Sequence, residues 1–417
     1  MRPRPFRCLS PCAATPPTLA TADQPARSRS YWEHTRADGS FNGLDFRTGG
    51  APNALPPASN ASFDVYSAFV FADAVAKIVA NHSASAAMAT VPLFVYLPFQ
   101  SVHSPLQAPD EYEAMYSEVN NTARKTLCAM VTAMDNATRT VVTAYKQAGL
   151  WDDTVMVFST DNGGPLPDHN NYPLRSGKAH NWEGGVRGIG FVRGTNSALA
   201  KVPAGETQQL MHTTDWLPTL VNLGGGSVVG TTLPLDGFDI WEVLTKGAKA
   251  KRTIIAHNVP QHGYAGAFRM NQLKLLLLGN SSSSIPGMQT TAGAAQLPPP
   301  GFKGNPHDVI PEPFAWTPPG STPDPEDPEA AGVVQLWLHD VVADPTESVN
   351  LAASKPQLLR QMIAAYEEYQ KGAVPDLADS RGCGAGGVEG CDPAANPALR
   401  ADKAWGPFTD SKRCEWL

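Results

Sequence analysis

The residues of this sequence best placed to do chemistry are Asp161 and Asn162, with Lys178 a short way downstream. The pair closes the apolar run Val155-Met156-Val157-Phe158, whose β-branched character reads as a buried parallel strand. Gly163 and Gly164 then turn the chain sharply. Ligands in open α/β sheets sit just beyond the carboxyl ends of such strands. A carboxylate and a side-chain amide at that place offer two hard oxygen donors to a divalent cation. Lys178 follows within reach of an anion held by that cation. Taken alone, Asp-Asn-Gly-Gly reads as a turn, because all three residue types favour one. What surrounds the tetrapeptide decides between the two.

Positioning such a pair takes a strand, a helix and a second strand. A helix is expected from about Ser62 to Ala80, with Tyr66, Phe69, Val70, Ala74 and Ile78 near one stripe and Ser62 as its N-cap. Pro92–Leu97 reads as a short buried strand. A long helix follows, carrying Leu127, Met130, Val131, Met134, Val141 and Tyr145 at helical spacing and stopping at Gly149. The strand Thr154–Thr160 comes next. Strand, helix, strand at this spacing is a βαβ unit and predicts a parallel sheet. Gly190–Val192 reads as another strand, and His212–Leu220 as a helix capped by Thr214 or Asp215. His212 and Asp215 resemble a catalytic pair, but at a helix start capping is their expected work. Leu273–Leu278 and Val333–Leu338 are expected to pair antiparallel around a Ser/Pro/Gly-rich insertion at about 280–332. A last helix is expected over about 355–371. The division is therefore a disordered segment at 1–28, an α/β domain at 29–260 and a C-terminal subdomain at 261–417.

Composition narrows the field. The 417 residues carry a formal net charge of -7 and no basic patch, which argues against a nucleic-acid partner. No run reaches the roughly 18 apolar residues of a membrane span. Prolines and polar residues interrupt the basic N-terminal stretch, so it is not read as a signal peptide. Five N-x-S/T sequons, at Asn60, Asn81, Asn120, Asn136 and Asn280, lean toward a secretory route. None of the six cysteines has zinc-site spacing, and Cys383 and Cys391 are close enough to pair in an oxidising compartment.

The pattern from Thr154 to Arg187, in which Asp-Asn-Gly-Gly is followed by Asn-Asn-Tyr-Pro-Leu-Arg, a lysine and Trp-Glu-Gly-Gly-Val-Arg-Gly, closely resembles the sulfatase family, with arylsulfatase B-like enzymes as the nearest form. Pro92–Pro109 resembles the family's segment bearing an active-site histidine, here His103. His212–Leu220, Pro234–Trp241 and Leu336–Leu351 match further family segments, so the likeness spans about residues 30–410. It implies an alkaline-phosphatase-like α/β sandwich, its mainly parallel sheet flanked by helices, with a small C-terminal antiparallel subdomain. It also implies hydrolysis of a sulfate ester on a sulfated sugar or aryl group, in a lysosomal or extracellular setting. By the same resemblance Asp161 and Asn162 are Ca2+ ligands, and Lys178 binds sulfate oxygen. His103 contacts the ester or protonates the leaving oxygen. Glu183-Gly184-Gly185 is read as a tight turn supporting the site.

The likeness begins late: Tyr31–Phe46 already resembles a segment well inside the family domain. The family's adjacent aspartates on a first strand have no counterpart, since Asp152-Asp153 reads as a helix-to-strand turn. Cys8-Leu9-Ser10-Pro11 does not fit the family's C-x-P-x-R nucleophile motif, and its K-x-H pair is absent. The resemblance therefore implies missing N-terminal strands, no assigned nucleophile, weak or absent Ca2+ binding, and a chain inactive and poorly folded alone. The alternative is a non-catalytic relative that binds sulfated glycan or a partner protein. A two-zinc phosphatase or phosphodiesterase would favour Asp and His ligands, whereas Asp161 followed by asparagine argues for one hard cation.

Overall fold

The computed structural model describes residues 7–8, 31, 35–37, 42–44, 65–88, 91–166, 168–194, 203–228, 234–260, 263–279, 311–318 and 333–373. Three short strands come first: β1 (Arg7–Cys8), β2 (Thr35–Ala37) and β3 (Asn42–Leu44), the last two paired antiparallel. Helix α1 (Ser67–Ala84) buries Ala68, Phe71, Ala72, Val75 and Val79 along one stripe. It begins later than the sequence suggests, after Tyr66, whose hydroxyl donates to Gln107 O at 3.0 Å. The expected cap Ser62 lies outside the described residues. Strand β4 (Leu93–Phe94) is half-buried and pairs parallel with β1. After the short helix α2 (Asp110–Glu113) comes α3 (Thr122–Gln147), N-capped by Asn121, whose side chain accepts from Arg124 N–H at 2.9 Å. Gly149, at φ 70, supplies the left-handed residue that ends it.

Small residues explain how α1 and α3 meet. Ala129, Ala133 and Ala137 recur every fourth position on α3 and are fully buried with Ala68 and Ala72 of α1. The absence of bulk there lets the two backbones approach, while Tyr31, Tyr66 and Met130 fill the ends of the contact. Of the sequons within the described residues, Asn81 and Asn120 are exposed. Asn136 is half-buried, its amide engaged by Tyr112 and Arg139.

Strand β5 (Met156–Ser159) departs from expectation in its pairing. The short helix α4 (Glu183–Val186) turns the chain back, and β6 (Gly190–Arg193) then runs antiparallel to β5, Phe158 facing Phe191. The expected mainly parallel sheet is thus not what the described residues show: their one parallel pair is β1 with β4. The local reason is the loop after β5, which doubles back far enough for Thr160 N–H to reach Ile189 O at 2.9 Å. That closure places the returning chain alongside β5.

Helices α5 (Trp216–Leu223) and α6 (Trp241–Lys246) follow. The start of α5 is preceded by a single 3-10 turn whose cap is His212, not Thr214. His212 Nδ1 accepts from Thr214 N–H at 3.3 Å, and Asp215 Oδ2 accepts from His212 N–H at 2.8 Å. Asp215 is fully buried and also takes Arg252, at 2.5 Å, and Phe238 N–H, at 2.8 Å. The pair therefore caps and anchors a helix.

The C-terminal part is a five-stranded antiparallel sheet in the order β10-β11-β9-β8-β7. Its strands are β7 (Ile254–His257), β8 (Ala265–Met270), β9 (Leu273–Gly279), β10 (Phe314–Trp316) and β11 (Val334–Asp340). The expected β9–β11 pairing is present; β7, β8 and β10 enlarge it. Side chains alternate between its faces. Phe268, Leu275, Leu277, Leu336 and Leu338 pack on helix α7 (Pro356–Gln370) through Leu359, Met362, Ile363 and Tyr366. The other face carries Ala267, Leu276 and Trp337, which close over Trp182 from the loop after β5. Both faces are covered, and the second is covered by the loop that bears Asp161 and Asn162.

Candidate active site

Thr160 marks the point where β5 ends, and its hydroxyl accepts from Ile189 N–H at 2.8 Å, pinning the base of the loop. Asp161 is exposed and Asn162 half-buried. Asp161 Oδ1 accepts Asn162 N–H at 2.9 Å, and Asn162 Nδ2 donates to Gly163 O at 2.8 Å. Those bonds leave Asp161 Oδ2 and Asn162 Oδ1 as the oxygens that could meet a cation. The donor chemistry suits a hard ion, and it accounts for two of the about 6–8 oxygens that Ca2+ takes. Among the described residues no group of three or more His, Cys, Asp or Glu side chains forms a metal cluster.

The turn after the pair is laid on the Glu183–Gly185 segment. Gly163 N–H donates to Gly185 O at 3.0 Å. A side-chain carbon on Gly163 would collide with the Gly184 carbonyl, so the approach requires glycine. Asn171 then ties the loop internally: its Oδ1 accepts from Gly164 N–H at 2.8 Å, and its Nδ2 donates to Gly164 O at 2.9 Å and Ser176 O at 3.0 Å. Gly164 O also accepts Lys178 N–H at 3.1 Å. The backbone of Lys178 is thereby held against the turn that follows Asp161-Asn162. On either side Ser176 and Ala179 adopt φ of 63 and 71, a left-handed conformation that costs about 1–3 kcal/mol for a residue with a side chain.

His103 comes from the loop after β4. Its N–H donates to Gln100 O at 3.0 Å and its carbonyl accepts from the Tyr31 hydroxyl at 2.6 Å. Nδ1 lies 2.9 Å from Ser104 O, which can only accept. This puts a proton on Nδ1 and leaves Nε2 as the nitrogen able to exchange one with a substrate.

The two loops meet at His169. Its side chain lies against Gly164, and its imidazole is near enough to the backbone of Val102, the neighbour of His103, to be influenced by it. Burial holds its imidazole below the ordinary histidine range, against the pull of Asp168. His169 was not singled out from sequence. The available signal was its position in Asp-His-Asn-Asn, close after the candidate ligand pair. Lys178 and Asp161-Asn162 are thus joined through Gly164, and His169 stands between that loop and Val102, beside His103.

Residues 23–226 match the sulfatase family model. Arylsulfatase J of Mus musculus is 31% identical over 360 residues, covering 84% of this chain and 55% of that protein. Arylsulfatase A of Homo sapiens is 35% identical over 127 residues, 28% of this chain and 23% of that one. The chain therefore spans about half the length of the first of these relatives, or less for the second. Among solved structures, Ps i-CgsB in complex with k-i-k-neocarrahexaose superposes with a TM-score of 0.53 at 24% identity, covering 75% of this chain and 58% of that one. The PsFucS1 sulfatase from Pseudoalteromonas sp. gives 0.50 at 20% identity, with 82% and 60% covered. These likenesses carry the fold, which is the alkaline-phosphatase-like fold of sulfatases. Over the matched residues this chain is thus similar to the sulfatase family, a family of sulfuric ester hydrolases, and to the arylsulfatases within it.

Proposed function

We propose that the Asp161–Asn162 turn, Lys178 and His103 form a site for a sulfate ester, and that the protein hydrolyses sulfate from a sulfated sugar or aryl group in the arylsulfatase manner. The observation that supports this most is the approach of all three loop segments to one turn: Lys178 N–H on Gly164 O, and the His169 side chain lying against Gly164 and near Val102. Asp161 Oδ2 and Asn162 Oδ1 would hold Ca2+. When bound, that ion draws charge from a sulfuryl oxygen as a Lewis acid. Lys178 adds a compact positive charge for the remaining sulfate oxygens. His103, with Nδ1–H held by Ser104 O, offers Nε2 to the oxygen that leaves. No nucleophile is assigned. The arylsulfatase B-like subtype rests on the sequence pattern from Thr154 to Arg187, and a lysosomal or extracellular setting on the sequons.

The test is hydrolysis of p-nitrophenyl sulfate by the purified protein with Ca2+ and with EDTA, beside Asp161→Ala. The reading predicts turnover that requires Ca2+ and is lost in the variant. Turnover indifferent to both changes, or a preference for p-nitrophenyl phosphate, sinks it. Tight binding of a sulfated glycan without hydrolysis would favour the non-catalytic alternative.

A further inference from the structure

The sheet face turned away from α7 is charged where an ordinary core is apolar. Arg269, Lys274 and His339 are cross-strand neighbours on β8, β9 and β11, and Lys274 and His339 are fully buried. Lys274 Nζ lies 3.0 Å from Glu183 Oε1 and 2.8 Å from Glu347 Oε1, and both carboxylates are buried. Arg269 Nη1 is 3.6 Å from Glu183 Oε2. The second oxygen of Glu347 accepts Glu183 N–H at 2.7 Å. Glu347 holds this pose at a left-handed φ of 52, in a turn whose Asp344 carboxylate accepts Ser348 and Val349 N–H at 2.8 and 2.9 Å.

Apolar residues of similar volume often stabilise a core as well as a buried ionic group does. Stability alone is therefore a weak account of these charges. Direction is a better one, because Glu183 is gripped at both ends, its carboxylate by Lys274 and its N–H by Glu347. Glu183 opens the turn whose next residues receive the candidate ligand loop. Gly184 N–H donates to Arg175 O at 2.7 Å, and Gly185 O accepts Gly163 N–H at 3.0 Å. From Lys274 to Asn162 the path is continuous: ionic contact, Glu183–Gly185 backbone, Gly163.

We propose that Glu183, Lys274 and Glu347 are positioning residues, which fix the turn under Asp161-Asn162-Gly163 so that the C-terminal sheet sets the geometry of the cation edge. The catalytic meaning of this inference rests on the sulfatase reading of the site.

Hydrogen exchange read by mass spectrometry on peptides covering 161–166, with p-nitrophenyl sulfate kinetics, tests it on Glu347→Ala and Glu347→Gln. Losing a charge-assisted hydrogen bond should speed exchange at 161–166 roughly tenfold or more in Glu347→Ala, leave the α1–α3 pair unchanged and lower kcat. Glu347→Gln keeps an acceptor for Glu183 N–H and should restore exchange to within about threefold of the parent. Should Glu347→Ala fail to fold, Glu347→Asp keeps the charge but withdraws it by one methylene, and the same acceleration is expected. A lowered melting temperature with parent exchange at 161–166 and parent kcat would overturn the proposal. If exchange responds as stated while Asp161→Ala leaves turnover intact, it is the sulfatase reading of the site that fails, and the positioning effect stands.

Discussion

In the proposed site His103 and Lys178 would serve different parts of one reaction, and their variants should separate. With His103 proposed to act on the departing oxygen, His103→Ala should lower kcat by about 10²–10⁴, the range for a lost general acid, with little change in KM. With Lys178 proposed to meet the sulfate in ground and transition states alike, Lys178→Ala should raise KM as well, read from initial rates on an aryl sulfate. Equal kcat in His103→Ala and the parent would remove the imidazole from the mechanism. These candidates could be proposed from sequence because each stands in a contiguous segment with a distinctive pattern. Lys274 and Glu347 could not. Lys274 reads as one polar residue in the run Leu273–Leu278, and its partner Glu183 lies far away along the chain. His169 was equally hidden, since its nearness to Val102 exists only once the two loops are folded together.

Among the elements, the start of α5 carries the clearest stability prediction. Asp215 is buried, caps through His212 N–H and pairs with Arg252. Asp215→Ala leaves the guanidinium partly buried without its carboxylate and should cost about 3–5 kcal/mol in urea denaturation. Because His212 and Asp215 cap a helix, turnover by the folded fraction should stay at the parent value. Loss of kcat with unchanged stability would reverse that assignment. Helical periodicity made α3 and α7 legible to within a few residues, and the short apolar runs on either side of the insertion did the same for β9 and β11. Strands β7 and β8 were not separated from sequence. Their side chains, such as Ile255, Ala267 and Arg269, answer to a two-sided environment that only the assembled sheet defines. The pairing of β5 failed to follow from sequence for another reason: strand spacing suggests a βαβ unit, but a loop that closes through Thr160 and Ile189 favours its own return.

At the scale of the whole molecule, the interface between the loop and the C-terminal sheet makes stability depend on pH. Burial pushes His339 down to about 4, and its Nδ1–H donates to Val349 O at 2.8 Å. Burial and Lys274 push His257 down to about 3. With folded values below the ordinary 6.5, the unfolded chain takes up protons first on acidification. The stability these two contribute is full above about pH 6.5 and is lost as pH falls toward 4 and 3. Glu347 acts in the opposite sense: burial raises its carboxyl from 4.5 to about 6, so the folded state gains stability as pH falls through that interval. Two histidines outweigh one carboxyl, and Glu183, Asp215 and Asp344, all held below the usual carboxylate range, add to the loss at lower pH. The melting temperature should therefore fall between roughly pH 7 and pH 5, measured by calorimetry in matched buffers. A rise over that window would show that the two imidazoles are not buried neutral.

The most direct measurement is a crystal structure of the protein grown with excess Ca2+ and soaked with a sulfate ester or vanadate. The account predicts calcium about 2.3–2.6 Å from Asp161 Oδ2 and Asn162 Oδ1, with the anion's oxygens facing Lys178 Nζ and His103 Nε2. An anion bound elsewhere, with Asp161 and Asn162 in bulk water and no cation on them, would contradict it.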